Sequence, residues 1–325
     1  MPRGPANLNG WVRNVDLFWR LPVYPALMVK LAFHAIRETL FRRCSRHYEL
    51  YHEAGFFPFA VPPNLKTVFT IHDLSLICFP EHHPRERVLY TRLFFRRRCK
   101  TVDHFLAVSE FTAKEMQSYL GIDPKKTTIT LEGYDNKIFS PRRDREIGPL
   151  FRRHSLPKKY FLFVGGGDPR KNLNVVPEAL EKAGLKIPLV VVGWSGWSDE
   201  KSWKNVIPVG YVSDDDLVGL YSGATALIFP SSHEGFGLPI VEAMACGCPV
   251  VTSREASLPE VAGEAALYLN DIGNTAELGN LLNKLAASSA IRTELSRKGM
   301  LQAEKFSWEK TARATFQVFL DVLKK

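Results

Sequence analysis

The second half of the chain alternates short apolar runs, rich in β-branched residues, with helical patterns, and this alternation constrains the fold most. Strands that are apolar throughout and joined by helices are typical of a parallel sheet covered on both faces. Six such strands suffice for a complete Rossmann-like domain, so we expect an α/β fold. The runs occupy residues 160–165, 189–193, 206–210, 224–230, 249–253 and 265–269.

The first half has a similar but thinner pattern, with no amino-terminal apolar strand followed by a glycine-rich turn. A charged, proline-containing segment at 137–159 separates the halves and indicates a linker with a short helix near 145–154. We therefore expect domains at 1–145 and 146–305, with 306–325 as a last helix that crosses back. The first half has strand patterns at 48–53, 66–73, 104–109 and 127–131, and helical patterns at 23–43, 84–101 and 109–120.

Length and composition favour an ordinary globular protein of two domains. The chain has 325 residues and 45% hydrophobic residues, without the roughly 20-residue apolar run of a membrane span. Its first residues lack the apolar core of a signal peptide, so we expect a cytoplasmic protein. The five scattered cysteines read as reduced thiols, since Cys246 and Cys248 are too close for usual zinc spacing. We expect no metal site.

The charge is uneven along the chain. Residues 1–150 hold 23 lysines and arginines against 15 aspartates and glutamates, which places +8 of the net charge of +9 there. A basic half suggests a phosphorylated ligand, an anionic membrane or nucleic acid, although a solvated basic face is the plain alternative. No recognised nucleic-acid module accompanies the charge, so we expect no nucleic acid. An amphipathic helix at 23–43 would give a peripheral contact with the inner face of an anionic membrane.

Two glutamates, Glu234 and Glu242, enclose a glycine-containing turn in the stretch PSSHEGFGLPIVEAMACGCPVV at 230–251. This turn leaves the carboxyl end of a buried strand, where open α/β sheets bind ligands. Gly235 and Gly237 allow a close approach of backbone amides, and Pro239 suits the first position of a helix that would attract a diphosphate. The plain alternatives are a solvated loop acid for Glu234 and an acid favoured by the helix dipole for Glu242.

A second candidate site is the stretch FVGGGDPRKNL at 163–173. Gly165 and Gly166 end a strand, and Arg170 and Lys171 open the predicted helix. Glycines alone indicate only a tight turn. Cations at a helix amino terminus oppose its dipole, however, and a bound anion would relieve that conflict.

These two stretches, together with SLPEVAGEAALYL at 257–269, resemble the retaining glycosyltransferases of family 4, which have the GT-B fold. The resemblance spans roughly residues 48–320, and its most specific motif is two glutamates seven residues apart with GFGLP between them. It implies two Rossmann-like domains with a cleft between them, the amino-terminal one being shortened here.

The resemblance also implies roles for individual residues. Arg170 and Lys171 would neutralise the diphosphate of the donor, Glu242 would bind the ribose, and Glu234 would lie near the sugar. His72 would approach the donor sugar, and we expect catalysis to depend on His72, Lys171 and Glu234. The donor would further contact Gly165, Gly166, Gly235, Phe236, Gly237 and Leu238.

The activity implied is transfer of a hexose of mannose or glucose type from a UDP- or GDP-linked donor. The acceptor would be a glycan or a lipid-linked glycan, and the mechanism a front-side, retaining one without metal or further cofactor. Relatives carry an arginine where this chain has Gly166, and Asn-Gly where it has Glu132-Gly133. The first strand and glycine-rich loop of the family are missing, so the alternative is a truncated, catalytically impaired nucleotide-sugar-binding protein.

Overall fold

The computed structural model describes residues 23–55, 57–193 and 203–324. The proline- and glycine-containing opening segment therefore lies outside the described residues. The described residues divide into two compact units: those within 23–70, 74–105 and 321–324 form one, and those within 71–73 and 106–320 form the other. The domain boundaries expected after residues 145 and 305 remain predictions.

The strands expected in the first half are present and form one sheet in the order β1-β2-β3-β4. Strands β1 and β2 are parallel, with Leu50 opposite Lys66. The strands are β1 (Leu50–Glu53), β2 (Lys66–Ile71), β3 (His104–Ala107) and β4 (Thr127–Ile129). The α-helices of this half are α1 (Val23–Cys44), α2 (Ser75–Cys78), α3 (Arg85–Cys99) and α4 (Glu110–Glu115), the last continuing as a π-helical turn over Met116–Leu120.

The second half contains the parallel sheet that its apolar runs predict, in the order β10-β9-β8-β5-β6-β7. The strands are β5 (Phe161–Val164), β6 (Leu189–Val192), β7 (Val206–Gly210), β8 (Ala226–Phe229), β9 (Val250–Ser253) and β10 (Ala266–Leu269). The helices are α5 (Asp144–Arg153), α6 (Val175–Lys182), α7 (Asp214–Gly223), α8 (Leu238–Ala245), α9 (Leu258–Ala262), α10 (Thr275–Ala287), α11 (Ser289–Ala303) and α12 (Trp308–Leu323).

Both faces of this sheet are buried, which explains why its strands are apolar throughout. Successive residues of β5 point to opposite faces. Phe161 and Phe163 join one hydrophobic cluster, which includes Leu282 of α10, whereas Leu162 joins the other, which includes Val241 of α8.

The strand order places a topological switch point between β5 and β8. The chain runs from β5 through β6 to β7 on one side, and then returns to β8 and continues outward on the other. Strands β5 and β8 are parallel neighbours, with Leu162 opposite Leu227. The segments that follow them, 165–171 and 230–237, therefore leave the same edge of the sheet, where ligands bind in open α/β sheets.

The last helix is fixed at its start to the segment after β4. Ser307 Oγ accepts a hydrogen bond from Lys310 N at 3.2 Å, and Thr311 Oγ1 donates to Leu131 O at 2.6 Å. Gly133 packs so closely that a Cβ there would lie 2.1 Å from Trp308 N. Only glycine fits this position without a shift of the helix start.

Candidate active site

The glycines after β5 allow two strand ends to approach closely. Gly165 N donates to Val192 O at 2.9 Å, and a Cβ on Gly193 would lie 2.3 Å from Gly165 O. A Cβ on Gly165 would lie 2.6 Å from Lys171 Cδ. The glycines therefore leave room for the side chain of Lys171 beside the end of β5.

Arg170 and Lys171 do not open an α-helix, contrary to the sequence prediction. Pro169–Lys171 form one turn of 3-10 helix, Asn172 is left-handed at φ 52°, and α6 begins only at Val175. Asp168 caps the short turn by accepting from Arg170 N at 3.0 Å. The predicted conflict between these cations and a helix dipole is therefore absent, and carboxylates already face both cations.

The turn is joined to the segment after β8 by hydrogen bonds to two carbonyls, one on each side. Arg170 O accepts hydrogen bonds from Ser232 N at 2.8 Å and from Asn172 Nδ2 at 3.0 Å. Asn172 Nδ2 also donates to Pro230 O at 3.0 Å. These bonds hold the two sequence motifs side by side at the switch point.

Lys171 and Glu234 form an ion pair across the two motifs. Lys171 Nζ lies 2.8 Å from Glu234 Oε1, and both side chains are about one-fifth exposed, at 21%. Ser231 Oγ donates to the same carboxylate oxygen at 2.9 Å. Arg170 pairs instead with Asp168, at 2.6 Å between Nη2 and Oδ2. Lys171 and Glu234, two of the predicted catalytic residues, are thus in direct contact.

The loop before α8 requires glycine for two reasons. A Cβ on Gly235 would lie 1.7 Å from His72 O, and Gly237 has φ 107°. His72 therefore lies against the loop that contains Gly235, while its role toward a sugar remains a prediction. Helix α8 begins at Leu238, one residue before the predicted start, and the side chain of Phe236 is buried in the core at 3% exposure. Only the backbone of Phe236 is available to a ligand.

Glu242 lies beyond the first turn of α8 and not within it, because the helix begins earlier than predicted. Its Oε2 accepts a hydrogen bond from Tyr221 of α7 at 3.1 Å. Burial raises the pKa of Glu242 to about 7, with a smaller raising effect from Asp214, while the Tyr221 bond lowers it. A partly buried acid with a raised pKa is more typical of a functional group than of a dipole-stabilised one.

We predict that this glutamate makes the chain less stable as pH rises. Its pKa is raised on folding, so the native state holds a proton that the unfolded chain releases, and stability is lost between pH 4.5 and about 7. The loss through this one group is about 3 kcal/mol. Chemical denaturation at pH 5.5 and 8 measures the free energy of unfolding. Relative to the wild type, this free energy should be higher for Glu242→Gln at pH 8 than at pH 5.5. An equal difference in unfolding free energy between variant and wild type at both pH values would contradict the prediction.

Several contacts of this loop involve residues that sequence reasoning did not single out. Ser257 Oγ lies 2.8 Å from both Glu234 O and Phe236 O. Thr112 Oγ1 donates to Gly235 O at 3.2 Å, and the buried Glu115 contacts His233 Nε2 at 3.0 Å. The only signal for them was their place in motifs of the family resemblance.

Comparison with known proteins agrees with this geometry. The family model described as Glycosyltransferase Family 4 matches residues 2–161, and that described as Glycosyl transferases group 1 matches residues 150–302. The O-antigen chain mannosyltransferase B of Escherichia coli is 32% identical over 301 residues, which are 88% of this chain and 77% of that protein. The chain belongs to glycosyltransferase family 4. It is a nucleotide-sugar glycosyltransferase.

One further relative of this family 4 glycosyltransferase shows how much of a longer protein the chain spans, and one solved structure shows the fold. The serotype-specific mannosyltransferase WbdA of Escherichia coli is 29% identical over 79% of this chain, which spans only 34% of WbdA. Sucrose-phosphate synthase from Thermosynechococcus elongatus superposes with a TM-score of 0.74 at 20% identity, covering 94% of this chain and 80% of that one. The fold is therefore GT-B, as the sequence predicts.

The structure brings most predicted site residues to the edge at the switch point. Lys171, Glu234, Gly235 and His72 are linked by the contacts described above. Glu242 follows on the same loop-helix unit, one turn inside α8. Their roles toward a donor remain predictions.

Proposed function

We propose that this family 4 glycosyltransferase transfers mannose, with retention of configuration, from a nucleoside diphosphate donor bound at the switch point between β5 and β8. The observation that carries the proposal is the ion pair of Lys171 and Glu234, which joins two loops at that edge. An ammonium next to a carboxylate at the carboxyl edge of a parallel sheet suits a ligand with both phosphates and hydroxyls.

The ion pair suggests how donor binding would proceed. A diphosphate entering beside Gly165 and Gly235 would compete with Glu234 for Lys171 Nζ. Phosphate oxygens would take over N–H groups of the ammonium that face Glu234, so that Lys171 would turn toward the phosphates and release the carboxylate for sugar hydroxyls. The pairing before binding would keep both side chains in place and reduce the entropy lost on binding.

Charge development explains why Lys171 would matter for turnover. Breaking the bond to the sugar leaves negative charge on the departing phosphate. Lys171 Nζ and the amides at the start of α8 would stabilise that charge more in the transition state than in the ground state. We propose that these groups act without a divalent metal, which an assay in the presence of EDTA would test.

The sugar and acceptor are proposed from the relatives. The two relatives described above are named as mannosyltransferases, and one acts on an O-antigen chain. We therefore propose mannose as the sugar, GDP-mannose as the first donor to test, and a growing polysaccharide or lipid-linked glycan as the acceptor.

Binding of nucleotide alone tests the donor site. We expect GDP or UDP to raise the melting temperature, since a ligand that binds only the native state stabilises it by about 2.7 kcal/mol at 100 times its Kd. Lys171→Ala and Glu242→Ala should each reduce the shift, whereas Lys298→Ala, which removes an exposed ion pair on α11, should not. The absence of a shift with every nucleoside diphosphate would refute the donor site.

A second proposal concerns the outer side of α1 in the first compact unit. Its apolar side chains Met28, Phe33, Ile36 and Leu40 are 65%, 63%, 58% and 54% exposed. The helix ends in Arg42 and Arg43. Exposed apolar groups beside cations fit an anionic lipid surface. We propose that this side of α1 contacts the membrane peripherally; no described helix has the length and apolar character of a membrane span.

Vesicle binding tests this proposal. We expect the wild type to sediment with vesicles containing an anionic lipid and not with zwitterionic vesicles. The double variant Phe33→Ser, Ile36→Ser should weaken binding at least about tenfold, because burying two large apolar groups contributes about 1.5–3 kcal/mol each. Leu301→Ser, an equally exposed position on α11 at 52%, is the matched control. If all variants sedimented with anionic vesicles to the same extent as the wild type, the apolar side of α1 would not be the contact. The basic first half would then be a solvated face.

A further inference from the structure

A second carboxylate near the donor loop faces His72 and has no role in the function proposed above. Glu132 follows β4, and its Oε1 lies 2.8 Å from His72 Nδ1. The side chain of Glu132 is 12% exposed, whereas that of His72 is 46% exposed. One end of the pair is thus held within the protein while the other is open to solvent.

The backbone of His72 is held independently of this pair. Its carbonyl lies against Gly235, where a Cβ would come within 1.7 Å of the oxygen. The main chain of His72 is therefore in close contact with the loop at Gly235–Leu238. Within that backbone position, the imidazole changes its direction by rotating about its own side-chain bonds. The contact with Glu132 opposes that rotation.

We propose that Glu132 is a positioning residue that accepts a hydrogen bond from Nδ1–H of His72 and thereby directs Nε2 toward the donor sugar. The inference rests on the proposed function and on the role that the family resemblance implies for His72, which is to approach the donor sugar. An ionised carboxylate can only accept hydrogen bonds, so it selects the ring form that carries a proton on Nδ1. Nε2 of the neutral ring is then an acceptor for a sugar hydroxyl.

Other charged groups surround the same loop. Asp73 follows His72, and the charges of Asp73 and Glu234 both act on Arg170. Lys171 contacts Glu234 at 2.8 Å. Among these groups, Glu132 has the direct contact with the imidazole that our proposal uses.

The test compares Glu132→Gln, Glu132→Ala and His72→Ala with the wild type. Loss of the outer partner that orients a metal-ligating histidine typically costs about 10- to 100-fold, and we expect a similar factor for this orienting contact. We expect kcat of Glu132→Ala to fall by this factor while the KM for the donor changes less than about threefold. Glu132→Gln should retain part of the activity, because its amide oxygen still accepts from Nδ1–H, and its pH profile should differ from that of the wild type.

Nitrogen-15 NMR of the His72 ring provides a readout independent of activity. The wild type should show the proton on Nδ1, and Glu132→Ala should shift the neutral ring toward the Nε2–H form. Glu294→Gln, at an exposed ion pair on α11, is the control. An unchanged tautomer and unchanged kcat in Glu132→Ala, with His72→Ala inactive, would overturn the inference but leave the proposed function standing. Full activity of His72→Ala would instead show that transfer does not need His72, and it would overturn the role proposed for Glu132 as well.

Discussion

Replacing Lys171 by alanine is expected to lower the rate of sugar transfer by about 10²- to 10³-fold, the cost of removing one preorganised donor to developing charge. The same change should weaken nucleotide binding, because the ammonium would contact phosphate in both ground and transition states. Steady-state kinetics with GDP-mannose and calorimetry with GDP measure the two effects. Lys298→Ala, at an exposed pair on α11, should match the wild type in both.

Glu234→Gln should separate the two effects. It removes the negative charge 2.8 Å from Lys171 Nζ and so leaves the ammonium available to phosphate. We therefore expect GDP alone to bind as tightly as to the wild type, or more tightly, while transfer falls by a factor comparable to that of Lys171→Ala. Equal turnover by Glu234→Gln and the wild type would remove Glu234 from the mechanism.

Gly235→Ala is expected to cause the second large effect. The new Cβ would lie 1.7 Å from His72 O, a backbone atom that cannot rotate away. Either the loop or residue 72 must move by more than about 1 Å, and a displacement of this size costs on the order of 100-fold in rate. We expect loss of transfer and a lower melting temperature.

A matched glycine provides the control. Gly148 lies within α5, where a Cβ would meet only Arg152 Nη1 at 3.6 Å. Gly148→Ala should therefore leave transfer unchanged, because the new Cβ meets none of the site residues. Full activity of Gly235→Ala would show that the loop and residue 72 do not need this close contact.

The sheet of the second half was predictable because each strand is apolar on both faces. That pattern does not depend on distant residues, and it gave all six strands within about two residues of their observed ends. Strand order was not readable from the pattern, yet it decides that the segments after β5 and β8 lie side by side. The site follows from that adjacency.

Local errors have identifiable causes. The sequence PRKN predicts the start of a helix, but the left-handed Asn172 ends the turn after Lys171. Helix α8 begins before Pro239 because Gly237, with its positive φ, already turns the chain. Both differences change which groups surround the charged residues of the site. Arg170 and Lys171 are paired with acids. Glu242 lies beyond the first turn of α8, and burial raises its pKa.

Contacts between distant segments were beyond sequence reasoning. Nothing in the pattern connects Glu132 with His72 across 60 positions, or Tyr221 with Glu242 across two helices. Such pairs depend on the packing of side chains after the sheet has formed. The roles of individual residues could be proposed only from the family resemblance.

The central claim is that the donor diphosphate binds between the turn at Pro169–Lys171 and the loop at Gly235–Leu238, and a crystal structure with GDP tests it most directly. We predict a phosphate oxygen within about 3 Å of Lys171 Nζ, with the ribose at Glu242 and with Lys171 no longer paired to Glu234. A diphosphate bound elsewhere, with Lys171 still 2.8 Å from Glu234, would contradict the account.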